Sequence, residues 1–224
     1  MRNNLLFAVL CAFTTHANAI VPHTGLVLPL SRINNTGLMS LPIPSAPPRY
    51  IALGVGTQNY SCTVDGLKVA STGALAVLFD AKSYLEKNPC DMDGLSANYL
   101  RAYDHCGGGR YPAQSSKSEE CLRQINHALE DLPVLGLHYF NTGNSPSFAF
   151  SAPGTNFTII AAKSGDVQAP RTQDIDWLYL NVTSGQIKGG KSSIYRVETA
   201  GGTYRTCLSS NTTHVPYAAL YWFY

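Results

Sequence analysis

Five side chains in this chain could carry general acid/base chemistry. His138 lies in a strand-like block, and an imidazole exchanges protons near neutral pH because its pKa lies at about 6.5. An acid/base site would require this histidine to converge in a cleft with at least one carboxylate. The candidate carboxylates are Asp80, Asp174, Asp176 and Glu198.

A structural interpretation competes with the catalytic one. A histidine flanked by Leu137 and Tyr139 on a strand is commonly a packed or surface side chain. Arg196 and Glu198 stand two positions apart, so on a regular strand they would share a face and form an ion pair. This interpretation leaves the chain without a catalytic group.

Aromatic side chains are the second set of candidates, because tyrosine and tryptophan rings can stack on sugars. Trp177 and Trp222 lie in strands that are apolar on both faces, which favours burial. Tyrosines in less hydrophobic surroundings are better candidates for an accessible binding surface. These are Tyr99, Tyr103, Tyr111 and Tyr204.

Glycine and cysteine spacing indicates neither a cofactor nor a metal. The string at residues 54–59, GVGTQN, lacks the third glycine of a dinucleotide-binding loop and runs on into strand-like sequence. No serine lies in a G-x-S-x-G elbow. The cysteines show no C-x-x-C spacing. We therefore expect no cofactor and no metal site, and the chain is not an NAD-dependent dehydrogenase.

The first residues have the pattern of an export signal. A positive residue at Arg2 precedes the apolar run LLFAVLCAF, and the small-x-small triplet at residues 17–19 suits cleavage after Ala19. The apolar run is too short to span a bilayer of about 30 Å, so we expect no membrane span. Five Asn-x-Ser/Thr acceptors support a secreted, extracellular or cell-wall-associated glycoprotein. Asn34, Asn156 and Asn211 are the better glycosylation candidates, and Asn59 and Asn181 are weaker because they lie in apparent strands.

Cysteine usage fits an oxidising compartment. Five cysteines remain after removal of residues 1–19. Cys62 and Cys207 each follow a strand-like block, and we expect them to pair. Two of Cys90, Cys106 and Cys121 form a second bridge, and the spacing leaves open which one is unpaired.

The organisation of the chain predicts one mainly β domain. An extended, proline-rich arm covers residues 20–49, and the domain covers residues 50–224. Alternating apolar blocks separated by Gly, Pro and Asn turns predict nine strands, the seventh at residues 192–200, the eighth at 204–208 and the last at 216–224. A cysteine-containing helical insertion at about residues 84–132 interrupts them. Its helices are predicted near residues 96–103 and from Ser118, which would cap the second helix.

This pattern is typical of an antiparallel β-sandwich or barrel. The closing segment VPYAALYWFY is apolar in both alternating registers, which predicts a central strand covered on both faces.

Several blocks resemble a family of exported fungal and bacterial proteins known only as a domain of unknown function. The resemblance covers roughly residues 50–224, and it rests on GVGTQNYSC (54–62), LFD (78–80), HYF (138–140), DIDWLYL (174–180), YRVETAGG (195–202), Cys207 and VPYAALYWFY (215–224). It implies an exported all-β domain and supplies no activity. The segment at residues 90–121 is longer than the family pattern, and the malate dehydrogenase label of some members conflicts with the glycine pattern described above.

Two functions follow from these patterns. The leading hypothesis is a non-enzymatic surface or interaction protein that binds cell-wall carbohydrate or a host or cell-surface molecule. The alternative is an extracellular enzyme that uses His138 with the carboxylates named above. The net charge of +2 and the absence of a basic stripe argue against nucleic-acid binding.

Overall fold

The computed structural model describes residues 25–62, 68–108, 115–185, 192–205 and 212–224. Within these residues, three α-helices lie between the second and third strands: α1 (Lys82–Lys87), α2 (Leu95–His105) and α3 (Ser116–Ala128). Short 3-10 helices lie at Leu30–Arg32 and Pro89–Asp93. The strands in these residues are β1 (Tyr50–Cys62), β2 (Val69–Asp80), β3 (Val134–Phe140), β4 (Pro146–Phe150), β5 (Phe157–Val167), β6 (Trp177–Ser184), β7 (Ser193–Gly201) and β8 (Thr213–Phe223).

The strands form a closed antiparallel barrel in chain order. Each strand pairs with the next one, and β8 returns to pair with β1, from Tyr50 opposite Phe223 to Tyr60 opposite Thr213. Closure leaves no unpaired edge in the sheet. The predicted fold class, a mainly β sandwich or barrel with a cysteine-containing helical insertion, is confirmed as a barrel.

The barrel wall separates two apolar clusters. The lumen cluster takes residues from every strand, and its members include Ala52, Leu78, Phe148, Ile159 and Tyr221. The outer cluster lies under the helices and the N-terminal arm. Because side chains alternate along a strand, β8 contributes to both clusters: Tyr217, Ala219, Tyr221 and Phe223 face the lumen, and Ala218, Leu220 and Trp222 face outward. The prediction of a last strand covered on both faces is confirmed.

The helical insertion packs on the outer face of the wall. Helix α2 contacts β1, β7 and β8, and it also contacts α3. Burial of Tyr99 and Tyr103 between α2 and the wall holds this layer in place. A disulfide joins Cys106 at the end of α2 to Cys121 in α3, with Cα atoms 5.9 Å apart.

The described residues contain two further cysteines, Cys62 and Cys90. Cys62 and Cys90 are also disulfide-bonded. Cys207, the expected partner of Cys62, lies outside the described residues.

The N-terminal arm runs across the outer face. Leu28 and Leu41 are buried in the outer cluster, and the hydroxyl of Tyr195 donates to the carbonyl of Pro42 at 2.9 Å. Other apolar side chains of the arm, such as Leu38 and Ile43, remain exposed. The arm is therefore anchored at a few points.

Two local predictions are wrong. Tyr204 and Arg205 lie outside any strand, and the rest of the strand predicted at residues 204–208 falls outside the described residues. The N-cap of α3 lies three residues earlier than predicted, because Ser115 rather than Ser118 caps the helix and accepts from the backbone N–H of Ser118 at 3.2 Å. Within the described residues, no helix is both long enough and apolar enough to cross a membrane.

Candidate functional site

The barrel lumen opens at one end into a pocket of about 680 Å³, which we call the mouth pocket. Gln58 and Tyr60 of β1 and Arg196 of β7 line it from the wall, and the segment between β3 and β4 contributes Asn144 and Ser145. The mouths of β-barrels are common sites for small ligands. The mouth pocket is therefore the principal candidate site.

The opposite end of the lumen is filled by aromatic rings. Phe150 stacks on Phe157 with ring centroids 4.6 Å apart, and it meets Phe223 edge to face at 5.1 Å. Tyr50 packs against Phe150 at 5.2 Å. These rings form an aromatic core at that end of the lumen. The polar groups of the lumen therefore lie towards the mouth.

Below the mouth pocket, buried polar side chains occupy the lumen. The hydroxyls of Tyr217 and Tyr221 are 3.0 Å apart. The ring of His138 stacks on Phe148 at 4.3 Å, and its Nδ1 lies 3.0 Å from the carbonyl oxygen of Ser147. Because a carbonyl can only accept, Nδ1 donates. Burial lowers the pKa of His138 to about 4, so the ring is neutral near pH 7.

Gln58 is a buried amide at the pocket wall with half of its hydrogen-bonding capacity unused. Its Nε2 donates to the hydroxyl of Ser71 at 2.9 Å and to the carbonyl of Gly73 at 2.8 Å. Its Oε1 has no hydrogen-bond partner among the described groups, although the residue is only 6% exposed. An unmatched buried acceptor costs about 1–3 kcal/mol. The amide oxygen of Gln58 is therefore an unmatched acceptor on a residue that lines the mouth pocket.

Arg196 places a guanidinium at the same wall. Its Nε and Nη2 donate to the carbonyl oxygen of Asp176 at 3.2 and 2.9 Å. Among the described residues, no carboxylate lies within ion-pair distance of this guanidinium. Arg196 can therefore still donate to an incoming acceptor.

The formal charges of the pocket lining cancel. Lys163 of the lining pairs with Asp166 at 3.4 Å. Asp174 is held by the guanidinium of Arg171 at 2.7 Å and by the backbone N–H of Gly201 at 2.8 Å. The lining contains three basic residues and three acidic ones. The basic residues are Lys163, Arg196 and Arg205, and the acidic ones are Asp166, Asp174 and Asp176.

One of the predicted binding tyrosines lies beside the mouth pocket. Tyr204 is half-buried, and its ring centroid is 5.7 Å from that of Tyr60, whose hydroxyl donates to the carbonyl of Gly202 at 2.6 Å. The expected exposure of Tyr99 and Tyr103 is wrong, because both rings are buried in the outer cluster. Tyr111 lies outside the described residues.

The proposed acid/base set is divided by the barrel wall. His138 faces the lumen, whereas Glu198 faces outward towards Ser96 of α2. Asp80 accepts from the backbone N–H of Lys82 at 3.1 Å and so caps the start of α1. The structure does not unite His138 with these carboxylates, because Glu198 lies on the outer face and Asp80 lies at the end of β2 beside α1. Asp176, exposed, and Asp174, buried, both line the mouth pocket.

The expected ion pair between Arg196 and Glu198 is also wrong. A register shift in β7 between Val197 and Ala200 breaks the alternation of side chains, and Glu198 has a φ of +47°. The bulge turns Glu198 to the outer face, where it pairs with Arg32 at 2.5 Å. Arg196 stays on the lumen side.

The predicted glycosylation acceptors differ in exposure. Asn34 and Asn156 are exposed and lie outside strands, and Asn211 lies outside the described residues. Asn59 is half-buried in β1 and contacts Nδ1 of His214 at 2.7 Å. Asn181 is exposed in β6 and donates to the hydroxyl of Ser164 at 2.8 Å.

Within the described part of the chain, no group of three or more His, Cys, Asp or Glu side chains is placed to hold a metal ion. The lining of the mouth pocket instead combines hydroxyl, amide, guanidinium and carboxylate groups with apolar side chains such as Phe140, Ile175 and Leu180. Such groups bind a polar organic ligand through hydrogen bonds.

Residues 43–224 match the model of a family described as "Protein of unknown function (DUF3455)". The chain belongs to the DUF3455 family. The predicted membership in a family of unknown function is thereby confirmed. No curated protein and no solved structure matches the chain.

The sequence interpretation missed two residues of this DUF3455 protein's mouth pocket. Gln58 occupies a lumen-facing register in a strand that is otherwise nearly apolar, and that contrast was visible in the block GVGTQNYSC. From the sequence, Arg196 was expected only to form an ion pair with Glu198. Its register became clear only with the bulge in β7.

Proposed function

We propose that this protein is an exported, non-enzymatic binding protein that takes a small, uncharged, hydroxyl-rich ligand, a mono- or disaccharide, into the mouth pocket. The observation that carries the proposal is the unmatched buried oxygen of Gln58 in the same pocket lining as the guanidinium of Arg196. The proposal narrows the expectation of carbohydrate binding to one pocket.

The hydrogen-bonding groups favour a ligand that both donates and accepts. Gln58 offers an acceptor, and Arg196 offers donors. A sugar hydroxyl satisfies both types of partner with one group. The half-buried ring of Tyr204, packed against Tyr60, supplies an aromatic surface at the rim on which a sugar ring can stack.

The balanced charge favours a neutral ligand. Since the three basic and three acidic side chains of the lining cancel, neither an anion nor a cation gains a net attraction. A volume of about 680 Å³ lies within the range of small-molecule sites, which is about 300–1,000 Å³.

Export and glycosylation are part of the proposal and rest on the sequence. The signal pattern at residues 1–19 and the acceptor asparagines place the protein outside the cell or in its wall. Wall polysaccharide and surface glycans are the sources of sugars there. N-terminal sequencing of protein recovered from the medium should begin at Ile20, and an intact Met1 would contradict export.

Isothermal titration with a panel of neutral mono- and disaccharides tests the binding function. We expect at least one sugar to bind the wild type, and we expect Arg196→Met to weaken that affinity about 10-fold or more, because a lost hydrogen bond to a charged donor is worth about 1.5–3 kcal/mol. Gln58→Met should also weaken binding, because it removes the acceptor.

Arg123→Met is the matched control. Arg123 is an exposed residue of α3, far in sequence from the pocket lining, and this variant should bind like the wild type. Thermal unfolding of each variant shows whether it is folded. The proposal fails if no sugar of the panel binds, or if a folded Arg196→Met protein binds with unchanged affinity.

A further inference from the structure

A second cavity, of about 130 Å³, lies outside the barrel wall. Helix α2 contributes Ser96, β6 contributes Trp177, the β7 bulge contributes Glu198, and the N-terminal arm closes one side with Arg32. We call it the outer cavity. It is separate from the mouth pocket, although the wall residue Asp174 lines both.

Three buried polar groups of the outer cavity lack hydrogen-bond partners among the described residues. They are Nε1 of Trp177, Oγ of Ser96 and Oε1 of Glu198. The three residues are 0%, 2% and 6% exposed. An orphaned group is unusual in a protein interior, because it gives up its hydrogen bonds to water without replacing them. Three residues that line one small cavity each carry such a group, and this concentration points to a polar occupant.

The placement of Glu198 is costly, which strengthens this interpretation. A non-glycine residue at a φ of +47° stores backbone strain, and such strain concentrates at functional sites. Arg32 holds Oε2 of Glu198 at 2.5 Å and also pairs with Asp93 at 2.8 Å. This network uses Oε2 and leaves Oε1 unmatched.

The orphaned groups define the chemistry of the occupant. The indole N–H of Trp177 can only donate, so the occupant must accept. Oε1 of Glu198 accepts when the carboxyl is ionised and can donate when it is protonated, and the hydroxyl of Ser96 can do either, so the occupant must both accept and donate. A hydroxyl group meets all of these requirements.

The charges of the cavity argue against an ionic occupant. The lining carries Arg32 and Arg171, and each guanidinium is already bonded to a carboxylate. The formal charge of the lining is −1 with Glu198 ionised and 0 with it protonated, so an anion gains no net attraction. A cation would leave the indole N–H without an acceptor.

We infer that the outer cavity is a second binding site, for a short uncharged polyol. The polyol accepts from Trp177 and forms a hydrogen bond with Oε1 of Glu198. Ser96 bonds a further hydroxyl. This inference does not depend on sugar binding at the mouth pocket, because the two linings share no group that contacts the polyol.

The two tryptophans of the chain allow a direct test. Trp177 lines the outer cavity, whereas Trp222 is buried in the outer cluster away from it, and its Nε1 is also unpartnered. The indole N–H signals of 15N-labelled protein are followed while glycerol or erythritol is added, with propan-1-ol as a control of similar size that lacks adjacent hydroxyls. Trp177→Phe and Trp222→Phe assign the two signals.

The inference predicts a saturable shift of the Trp177 signal with a polyol, no comparable shift of the Trp222 signal, and little response to propan-1-ol. The Trp177 response should persist in Arg196→Met, which keeps the outer cavity intact. Parallel, unsaturable shifts of both signals, or no shift at all, would show a cavity filled by ordered water only and would overturn the inference.

A pair of serine variants tests the same contact. Ser96→Ala should weaken polyol binding about 3- to 10-fold, because one hydrogen bond is lost. Ser118→Ala is the matched control, since Ser118 also has a buried, unpartnered hydroxyl but does not line the cavity. Equal affinities of the two variants would overturn the inference.

Discussion

Arg32 and Glu198, 166 positions apart in the chain, form a hydrogen-bonded ion pair at 2.5 Å. The carboxylate is 5% exposed and the guanidinium 35% exposed. Because Arg32 also pairs with Asp93, one guanidinium joins the N-terminal arm, the helical insertion and the barrel wall. The pair thus closes the outer cavity and ties three segments of the fold together.

Removing this guanidinium should loosen the arm. Arg32→Ala leaves Glu198 buried without its partner, and we expect the free energy of unfolding to fall by about 1–3 kcal/mol, below the 3–5 kcal/mol typical of fully buried pairs because Arg32 is partly exposed. Urea denaturation measures this difference. The control is Arg123→Ala, which removes an exposed pair with Glu120 and should leave stability unchanged. Equal stabilities of the two variants would contradict the role of the pair.

The carboxyl of Glu198 should make stability fall as the pH rises. Burial raises its pKa from the ordinary 4.5 to about 7, and Arg32 opposes this rise in part. Between these values the folded state binds more protons than the unfolded state, so the stabilising contribution is complete below about pH 4.5 and is lost as the pH rises through about 7. Glu198→Gln should remove this slope, measured by urea denaturation across the range. The exposed control Glu119→Gln should keep it, and an identical slope in both variants would show that Glu198 does not titrate in this way.

Titration of His138 should change stability with pH in the opposite direction to that of Glu198. Burial in the lumen lowers its pKa from 6.5 to about 4, so the unfolded state binds more protons over this interval. Its stabilising contribution is present above about pH 6.5 and is lost as the pH falls towards 4. His138→Phe keeps an aromatic ring beside Phe148 and should flatten the acid side of the stability profile, measured by thermal unfolding. His127→Phe, at an exposed position, should not, and a wild-type profile in the His138 variant would contradict burial of the neutral ring.

Gly56 lies where β1 and β2 approach closely, so its substitution tests the pairing of these two strands. A Cβ atom at this position would lie 2.0 Å from the carbonyl oxygen of Leu75 and 2.6 Å from Cα of Ala76. We expect Gly56→Ala to cost about 3 kcal/mol or more, because the backbone must move to relieve the overlap. Gly94→Ala, where the nearest atom is 3.8 Å away, is the matched control and should unfold like the wild type in a calorimeter. Similar transitions for the two variants would contradict the β1–β2 register.

The sequence predicted the fold class because local patterns carry it. Apolar alternation and turn residues marked most strands, and the double apolar register of VPYAALYWFY predicted that β8, which pairs with β1 and β7, is covered on both faces. The pattern could not choose between a sandwich and a barrel. That choice depends on the pairing of β8 with β1, which is a long-range contact.

The candidate site was harder to predict because it depends on register. A shift between Val197 and Ala200 sends Glu198 outward and leaves Arg196 in the lumen, and spacing alone suggested a shared face. Likewise, Tyr99 and Tyr103 looked accessible because α2 is weakly apolar, yet the helix buries both rings against the wall. Gln58 could have been suspected from its polarity within an apolar strand, but its unmatched oxygen required the structure.

A crystal structure of the wild-type protein with the tightest-binding neutral sugar tests the central claim most directly. The sugar should lie in the mouth pocket, with one hydroxyl donating to Oε1 of Gln58, another accepting from Arg196, and the ring near Tyr60 and Tyr204. A sugar bound elsewhere, such as the groove lined by Tyr179 and Tyr195, with the mouth pocket holding only solvent, would contradict the account.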